Sequence, residues 1–216
     1  MTFRRKLLLA STGAVLVAGC ARDGELVIDQ GVGITAVRSA CPAIGVPDYT
    51  GDVTLFRSAG DRTADNIDVT AAITNLRSTC NDTGARVYSE ATFDVLARRT
   101  DVRGARRVEL PYFATVLRGG SAVQTKRIGT IVLDFADGQE RARTSAKAGS
   151  FVDRAEASLP EDIRERITRK RKAGDPDAAL DPLADPQVRA ALNRATFELL
   201  IGFQLNEQQL AYNATR

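Results

Sequence analysis

The stretch "IDVTAAITN", residues 67–75, places an apolar side chain at every second position from Ile67 to Ile73. Polar side chains occupy most of the positions between them. Because successive side chains of a β-strand point to opposite faces, this alternation predicts a strand with one buried face. The stretch therefore predicts a sheet that covers a hydrophobic core with one face and meets solvent with the other.

The same alternation recurs along the chain. Further predicted strands are "GELVIDQ" (24–30), "DVTLFRS" (52–58), "VYSEATFDVLAR" (87–98), "PYFATVLR" (111–118), "VQTKRIGTIVLDF" (123–135) and "FELLIGFQL" (197–205). Gly119 and Gly120 separate two of these strands and predict a hairpin turn. No repeated strand–helix alternation precedes residue 158, which argues against a parallel α/β sheet. The sequence predicts a mainly β chain that forms an immunoglobulin-like antiparallel β-sandwich. The absence of tryptophan excludes an antibody-like core.

Residues 158–194 interrupt the strands and predict a helical insertion before the last strand. Ser158 is followed three residues later by Glu161, which is the spacing of a capping box. We therefore expect a helix from about 159 to 172, with Gly174 beyond its end. A second, shorter helix should begin after Asp185, which can cap it. At the C-terminus, Asn206 precedes what reads as a single helical turn.

The chain begins with the features of a secretory signal peptide. Arg4, Arg5 and Lys6 are followed by an apolar stretch at 7–17 and by two small residues before Cys20. An apolar run of this length is too short for a membrane-spanning helix, which needs about 20 residues.

The last four of these residues, "VAGC", resemble the lipobox of bacterial lipoprotein precursors. The resemblance implies that the thiol of Cys20 carries a diacylglycerol, that the chain is cut before it, and that the new amine is acylated, typically with palmitate. It predicts a signal peptide at 1–19, a lipid-anchored tether at 20–25 and the sandwich domain at 26–216. Ala21 follows the anchor where the inner-membrane sorting rule has aspartate, so we expect the outer membrane, facing the periplasm. The alternative is an ordinary signal peptide whose cleavage site abuts a cysteine.

A second resemblance lies near the C-terminus. The segment "LIGFQLNEQQLAYN", residues 200–213, is similar to the ending of uncharacterised alphaproteobacterial envelope lipoproteins. It agrees with the same location in the cell envelope and implies no particular activity.

Two cysteines remain after the anchor, Cys41 and Cys80. In the oxidising compartment of an exported chain, two such cysteines usually pair. We therefore predict a disulfide, and closing a loop of about 40 residues would stabilise the fold by roughly 3–4 kcal/mol. The alternative is two free, buried thiols.

Charge and composition exclude several classes of function. Removing residues 1–19 takes away three of the 30 basic residues, which leaves 27 against 27 acidic ones and a net charge of zero. The chain thus gives no indication of a nucleic-acid partner. The lack of histidine excludes Ser–His–Asp and Cys–His nucleophiles and imidazole metal sites. The cysteine spacing predicts no zinc site, and "GVGITA" at 31–36 opens no helix of useful length, so we expect no metal and no cofactor.

Two charged groups are candidates for function. Three carboxylates, Asp134, Asp137 and Glu140, could form a glycan-hydrolysing pair, but they also suit a solvated hairpin end. The other group is basic and consists of Arg164, Arg166, Arg169, Lys170, Arg171 and Lys172. It could contact anionic lipid headgroups or an acidic envelope protein, although such runs are often simply solvated.

The leading hypothesis is a membrane-anchored envelope lipoprotein that acts as a non-catalytic binding or structural component. The alternatives are a carboxylate-dependent cell-wall or glycan hydrolase, and a carrier of a small apolar ligand between the two sheets.

Overall fold

The alternating stretches form two sheets packed face to face. The computed structural model describes residues 35–58, 60–172 and 174–215. Its strands are β1 (Ala43–Gly45), β2 (Asp52–Phe56), β3 (Ile67–Asn81), β4 (Arg86–Arg99), β5 (Arg106–Arg118), β6 (Ala122–Phe135), β7 (Arg141–Asp153) and β8 (Phe197–Phe203). Its helices are α1 (Glu161–Thr168), α2 (Pro186–Ala195) and α3 (Glu207–Thr215). None of these helices is long and apolar enough to cross a bilayer.

The first sheet has the order β1-β8-β5-β6 and the second has the order β2-β3-β4-β7. Every pair is antiparallel except β1 with β8, which is parallel. The predicted mainly β sandwich, with helices inserted before its last strand, is confirmed.

The side chains that alternate in the sequence meet between the sheets. Val69 and Ala71 of β3 are buried, as the stretch that carries them predicts. Phe93 from the second sheet and Phe135 and Phe203 from the first are at most 2% exposed. These residues belong to one continuous hydrophobic cluster with side chains from both sheets. The core between the sheets is therefore filled by protein side chains.

Strand β7 has no counterpart among the predicted strands. Its inward-facing positions carry small residues, including Ala142, Ala146 and Ala148, so it lacks the bulky alternation that marks the other strands. Alanine is also a weak strand former. The strand exists because it pairs with β4 in an unbroken register from Arg86–Asp153 to Arg98–Arg141.

The turns between strands confirm one prediction and correct another. Gly119 and Gly120 have positive φ values of 62° and 76° and close the β5–β6 hairpin as predicted. The segment with Asp137 was expected to end a hairpin, and that expectation is wrong. Strand β6 lies in the first sheet and β7 in the second, so the chain crosses between the sheets there.

One buried arginine contacts both segments in which the chain crosses between the sheets at this end of the sandwich, from β4 to β5 and from β6 to β7. The Arg99 side chain, at the end of β4, is fully buried. The Nε, Nη1 and Nη2 atoms of its guanidinium donate at 2.7–2.8 Å to the main-chain carbonyls of Val102, Gly104, Ala136 and Gln139. The first two carbonyls belong to the crossing from β4 to β5 and the last two to the crossing from β6 to β7. The arginine thus joins both crossings to the end of one strand.

The predicted disulfide is confirmed. Cys41 and Cys80 are bonded at 2.03 Å, with their Cα atoms 6.1 Å apart. Cys41 precedes β1 in the first sheet, and Cys80 lies near the end of β3 in the second. The bond therefore fixes the incoming chain to the sandwich. Cys20, the signal peptide, the tether and the strand expected at 24–30 lie outside the described residues.

The helices differ in part from the prediction. The first ends at Thr168 instead of continuing to Lys172, because Arg169 already has an extended conformation. No capping box forms, because the N-cap residue of α1 is Pro160 and not Ser158, whose hydroxyl donates to the Arg154 carbonyl. Helix α2 is capped as predicted, with Asp185 accepting from the main-chain N–H groups of Gln187 and Val188.

The C-terminal helix is longer than the single turn expected. Asn206 and Gln209 cap it reciprocally, because each side chain accepts from the other residue's main-chain N–H at 2.9 Å. Asn213 then donates to the carbonyls of Tyr49 and Asp52, which attaches α3 to the outside of β2. These long-range contacts stabilise a helix whose local sequence alone predicts little.

Replacing Arg99 with methionine should destabilise the fold by more than about 3 kcal/mol, because buried carbonyls would lose their donors. Arg99→Lys should recover only part of this, since an ammonium cannot reproduce the planar fork. Urea denaturation of the oxidised protein measures both variants. Arg127→Met, at an exposed position of β6, is the matched control and should change stability by no more than about 0.5 kcal/mol. Equal effects at positions 99 and 127 would contradict the role given to Arg99.

Candidate functional site

The helical insertion has a small hydrophobic core of its own. Ile163 and Ile167 of α1 pack with Val188 and Ala191 of α2, and all four are buried. This core is separate from the one between the sheets. It holds α1, the following segment and α2 together as a unit on which a surface cavity is built.

That cavity, which we name the insertion groove, has a volume of about 830 Å³. It is lined by Asp162, Glu165, Arg166, Thr168, Arg169, Arg171, Asp177, Leu180, Asp181, Pro182, Asp185 and Val188. Helix α1, the chain that follows it, the proline-rich linker and the start of α2 all contribute. Ligand-binding cavities of small molecules typically have volumes of about 300–1,000 Å³.

Carboxylates engage the three arginines that line the groove. Arg166 is paired with Asp185, and Arg169 is paired with Asp177. Arg171 is only 5% exposed, and its Nε donates to Asp177 Oδ2 at 3.2 Å. Its Nη2 also donates to the carbonyl of Arg166 at 3.2 Å. The guanidinium groups are thus part of the wall of the groove and are already engaged.

These contacts lower the pKa values of the two partner aspartates, Asp177 and Asp185. The main-chain N–H of Gln187, together with that of Val188 and the charge of Arg166, lowers the pKa of Asp185. Burial raises the pKa of Asp177, but hydrogen bonds from Arg171 and Arg169 outweigh it and leave that pKa below its ordinary value. Both groups are therefore ionised over the neutral pH range.

The whole insertion is nearly neutral, although the run from Arg164 to Lys172 is basic. Residues 158–194 contain eight basic and seven acidic side chains, which gives a net charge of +1. Arg164 is itself paired with Glu161. Lys170 and Lys172 are exposed and do not line the groove. Of the predicted basic group, three arginines meet in one cavity while Arg164 and the two lysines lie outside it.

The three carboxylates considered for glycan hydrolysis each have a separate partner. Asp134 pairs with Arg107 at 2.9 Å, and Glu140 pairs with Arg98. Asp137 accepts from the main-chain N–H of Gly104 at 2.6 Å. It thus lies beside the four carbonyls that accept from Arg99, which we name the Arg99 cage (Val102, Gly104, Ala136 and Gln139). These contacts favour structural roles at the crossing between the sheets.

Asp94, on strand β4, is another carboxylate that is held by several side chains. It is only 7% exposed. Ser145 and Arg143 each donate to it at 2.6 Å, and Asn75 donates at 2.8 Å from a bulge with φ of 52°. The hydrogen bond from Ser145, followed by that from Asn75, lowers the pKa of Asp94. This group ties β3, β4 and β7 together on the outer face of the second sheet.

The linker aspartates were missed as arginine partners by reasoning from the sequence. A signal was present for Asp185, which precedes a proline, but not for Asp177, which precedes Ala178. An aspartate before proline often caps a turn or helix, so its carboxylate is held in a fixed position near the main chain. Which arginine it would meet depends on how the linker folds back.

The described chain enters the fold beside the insertion. The main-chain N–H of Ala36 donates to the carbonyl of Ile167 at 3.0 Å. Arg38 donates to the Thr196 hydroxyl at 2.7 Å, at the end of α2. The first described residues and the insertion therefore lie at the same end of the domain.

Comparisons with known proteins identify no relatives: no family model, no curated protein and no solved structure matches this chain. Within the part of the chain that the structure describes, no group of three or more histidine, cysteine or acidic side chains is arranged to hold a metal ion.

Two changes at Asp185 separate its roles. Asp185→Ala should expose the first turn of α2 to hydrogen exchange, because the cap and the pair with Arg166 are both lost. Asp185→Asn should keep the cap and lose the pair, so its protection should be intermediate.

The same position predicts a pH dependence. The pKa of Asp185 is lower in the folded protein than in the unfolded chain. Its contribution to the stability of α2 is therefore complete above the unfolded pKa of about 3.9 and is lost as the pH falls through the folded pKa. Amide exchange of α2 measured by NMR should show this loss in the unchanged protein and not in Asp185→Ala. The same pH profile in both proteins would contradict the assignment.

Proposed function

We propose that this chain is a lipid-anchored protein of the bacterial cell envelope, attached through Cys20 and facing the periplasm from the outer membrane. Its sandwich serves as a rigid support for a non-catalytic binding surface. The observation that carries the proposal is the way the chain enters the domain. It lies against α1 through Ala36 and Ile167 and is then fixed to the second sheet by the Cys41–Cys80 bond.

The disulfide supports the exported location, because such bonds persist in oxidising compartments and are rare in the cytosol of mesophiles. It agrees with the signal-peptide pattern that precedes it. The two observations are independent, since one is a targeting pattern and the other is a covalent bond in the fold.

The entry point also decides which end of the domain is tethered. Thr35, the first described residue, follows Cys20 by 15 positions, and a fully extended chain of that length spans at most about 50 Å. The end of the sandwich that carries the insertion is therefore the end tethered to the lipid. The opposite end, with the Arg99 cage, lies farther along the 14-residue strand β4.

The insertion groove supports a binding role. It is a concave surface of ligand size, and it is built on helices with their own core. The sandwich core behind it is filled by packed side chains, which favours binding at the insertion over an apolar ligand between the sheets.

Acylation of Cys20 is the central test. The full chain expressed with its own N-terminus should appear in the membrane fraction, with a mature N-terminal peptide that carries diacylglycerol and acyl mass. Cys20→Ala should remain unprocessed by the lipoprotein signal peptidase. Cys41→Ala with Cys80→Ala is the matched control, because it removes cysteines without removing the anchor. A mature N-terminus at residue 20 without acyl mass would refute the lipid anchor.

Contact between the insertion and anionic headgroups is a separate prediction. Its attraction should come mainly from Lys170 and Lys172, because both side chains are exposed outside the groove, whereas Arg171 is buried in its wall. Each cation near an anionic surface contributes about 1 kcal/mol at most. This attraction would orient the domain, since the lipid already attaches it.

Vesicle binding measures this contact. The mature chain with Cys20→Ser should bind vesicles of phosphatidylglycerol weakly at low salt and not at high salt. Lys170→Gln with Lys172→Gln should remove that binding, whereas Arg127→Gln with Arg141→Gln, at exposed strand positions, should largely keep it. A chain that shows no salt-sensitive binding would rule out the headgroup contact.

A further inference from the structure

We propose that the insertion groove binds a small organic cation with an apolar body, of which an alkylammonium ion is the simplest example. This names a ligand class for the proposed binding role, on which it rests, and it does not depend on the lipid anchor. Three features of the groove support it: its apolar wall, its carboxylate excess and the engagement of its arginines.

The apolar wall is formed where the linker meets α2. Leu180 lines the groove and is 64% exposed, so its side chain offers apolar surface to a ligand there. Pro182 and Val188, both buried, continue this wall toward the small core of the insertion. An alkyl or aromatic body placed against Leu180 would remove apolar surface from water, which favours binding.

The charge of the lining sets the sign of the ligand. Three arginines and five carboxylates line the groove, so the lining has a net charge of −2. Asp162 and Glu165 are exposed and lie one helical turn apart on α1, which places them on the same side of the helix. An ammonium group between them would donate charge-assisted hydrogen bonds to both carboxylates, and such bonds are stronger than those between neutral groups.

The arginines argue against an anionic ligand in the same place. An anion bound to the three arginines would lie beside Asp177 and Asp185, whose negative charges already neutralise these arginines and would repel it. Asp185 also caps α2, so moving it aside would disturb the wall of the groove. A cation meets no such repulsion from the two carboxylates.

The experiment compares probes of equal length and opposite charge. Assigned methyl resonances of Leu180 and Val188 are followed by NMR in the mature chain with Cys20→Ser, which retains the rest of the sequence. Octylammonium should shift both methyl groups in a saturable manner. Octanoate, which has the same chain and the opposite charge, should shift them far less. Methylammonium, which lacks the apolar body, should also bind far more weakly.

Substitutions locate the site. Asp162→Asn with Glu165→Gln should weaken octylammonium binding by at least about 10-fold, because two charge-assisted contacts are removed. The matched control, Asp48→Asn with Glu109→Gln, makes the same change in net charge at exposed positions outside the groove and should leave the affinity within about 2-fold of the original.

Three results would overturn the proposal: no saturable shift with octylammonium, equal binding of octanoate, or equal weakening by the two double substitutions. The comparison of octylammonium with octanoate uses the unsubstituted groove and therefore does not depend on how a variant folds. Because none of these measurements involves the acyl chains, their failure would leave acylation of Cys20 unaffected, and unacylated Cys20 would leave the groove proposal unaffected.

Discussion

The fully buried guanidinium of Arg99 is the interaction on which the relation between the two sheets depends. A buried positive charge is costly unless its donors are satisfied, and here main-chain carbonyls satisfy them. Those carbonyls belong to two different crossings, so both crossings must be in place before the arginine can be buried. The ring of Phe135, with its centroid 5.2 Å from the guanidinium carbon, covers one side of the group. This constraint also starts β7 in the correct sheet, because the chain leaves the Arg99 cage immediately before β7 pairs with β4.

The other end of β4 carries a different set of constraints. The disulfide joins the incoming chain to β3 there, and the insertion begins after β7 has paired along the whole of β4. The domain is thus held at one end by a polar cage and at the other by a covalent bond. We propose that the end with the disulfide faces the membrane. The disulfide and the small hydrophobic core of the insertion together keep the groove in a defined shape at that end.

The charge around the basic run of the insertion differs between the sequence and the folded structure. The run that ends in Arg171 and Lys172 is strongly basic when it is read along the chain. In the fold, the linker that follows returns along α1 and brings Asp177 and Asp185 to the arginines. The result is a groove lined by more carboxylates than arginines. Contact with anionic headgroups remains a prediction for the exposed lysines, while the groove itself favours the opposite charge.

Local pattern determined much of this protein. Alternation predicts the strands with bulky inward residues, and paired glycines predict the β5–β6 turn. Asp185 predicts the start of α2, and the two cysteines that follow a signal-peptide pattern predict their bond. These features depend on neighbours in the sequence or on simple chemistry. Strand β7, the Arg99 cage, the early end of α1 and the groove were decided only by the tertiary structure. Three of them depend on partners that are distant in the chain. Strand β7 depends on its register with β4, Arg99 on carbonyls up to 40 residues away, and the groove on the pairing of Arg166 with Asp185, 19 residues later. Short-range periodicity carries no information about such contacts, because the free energy that stabilises them arises only when the distant segments meet.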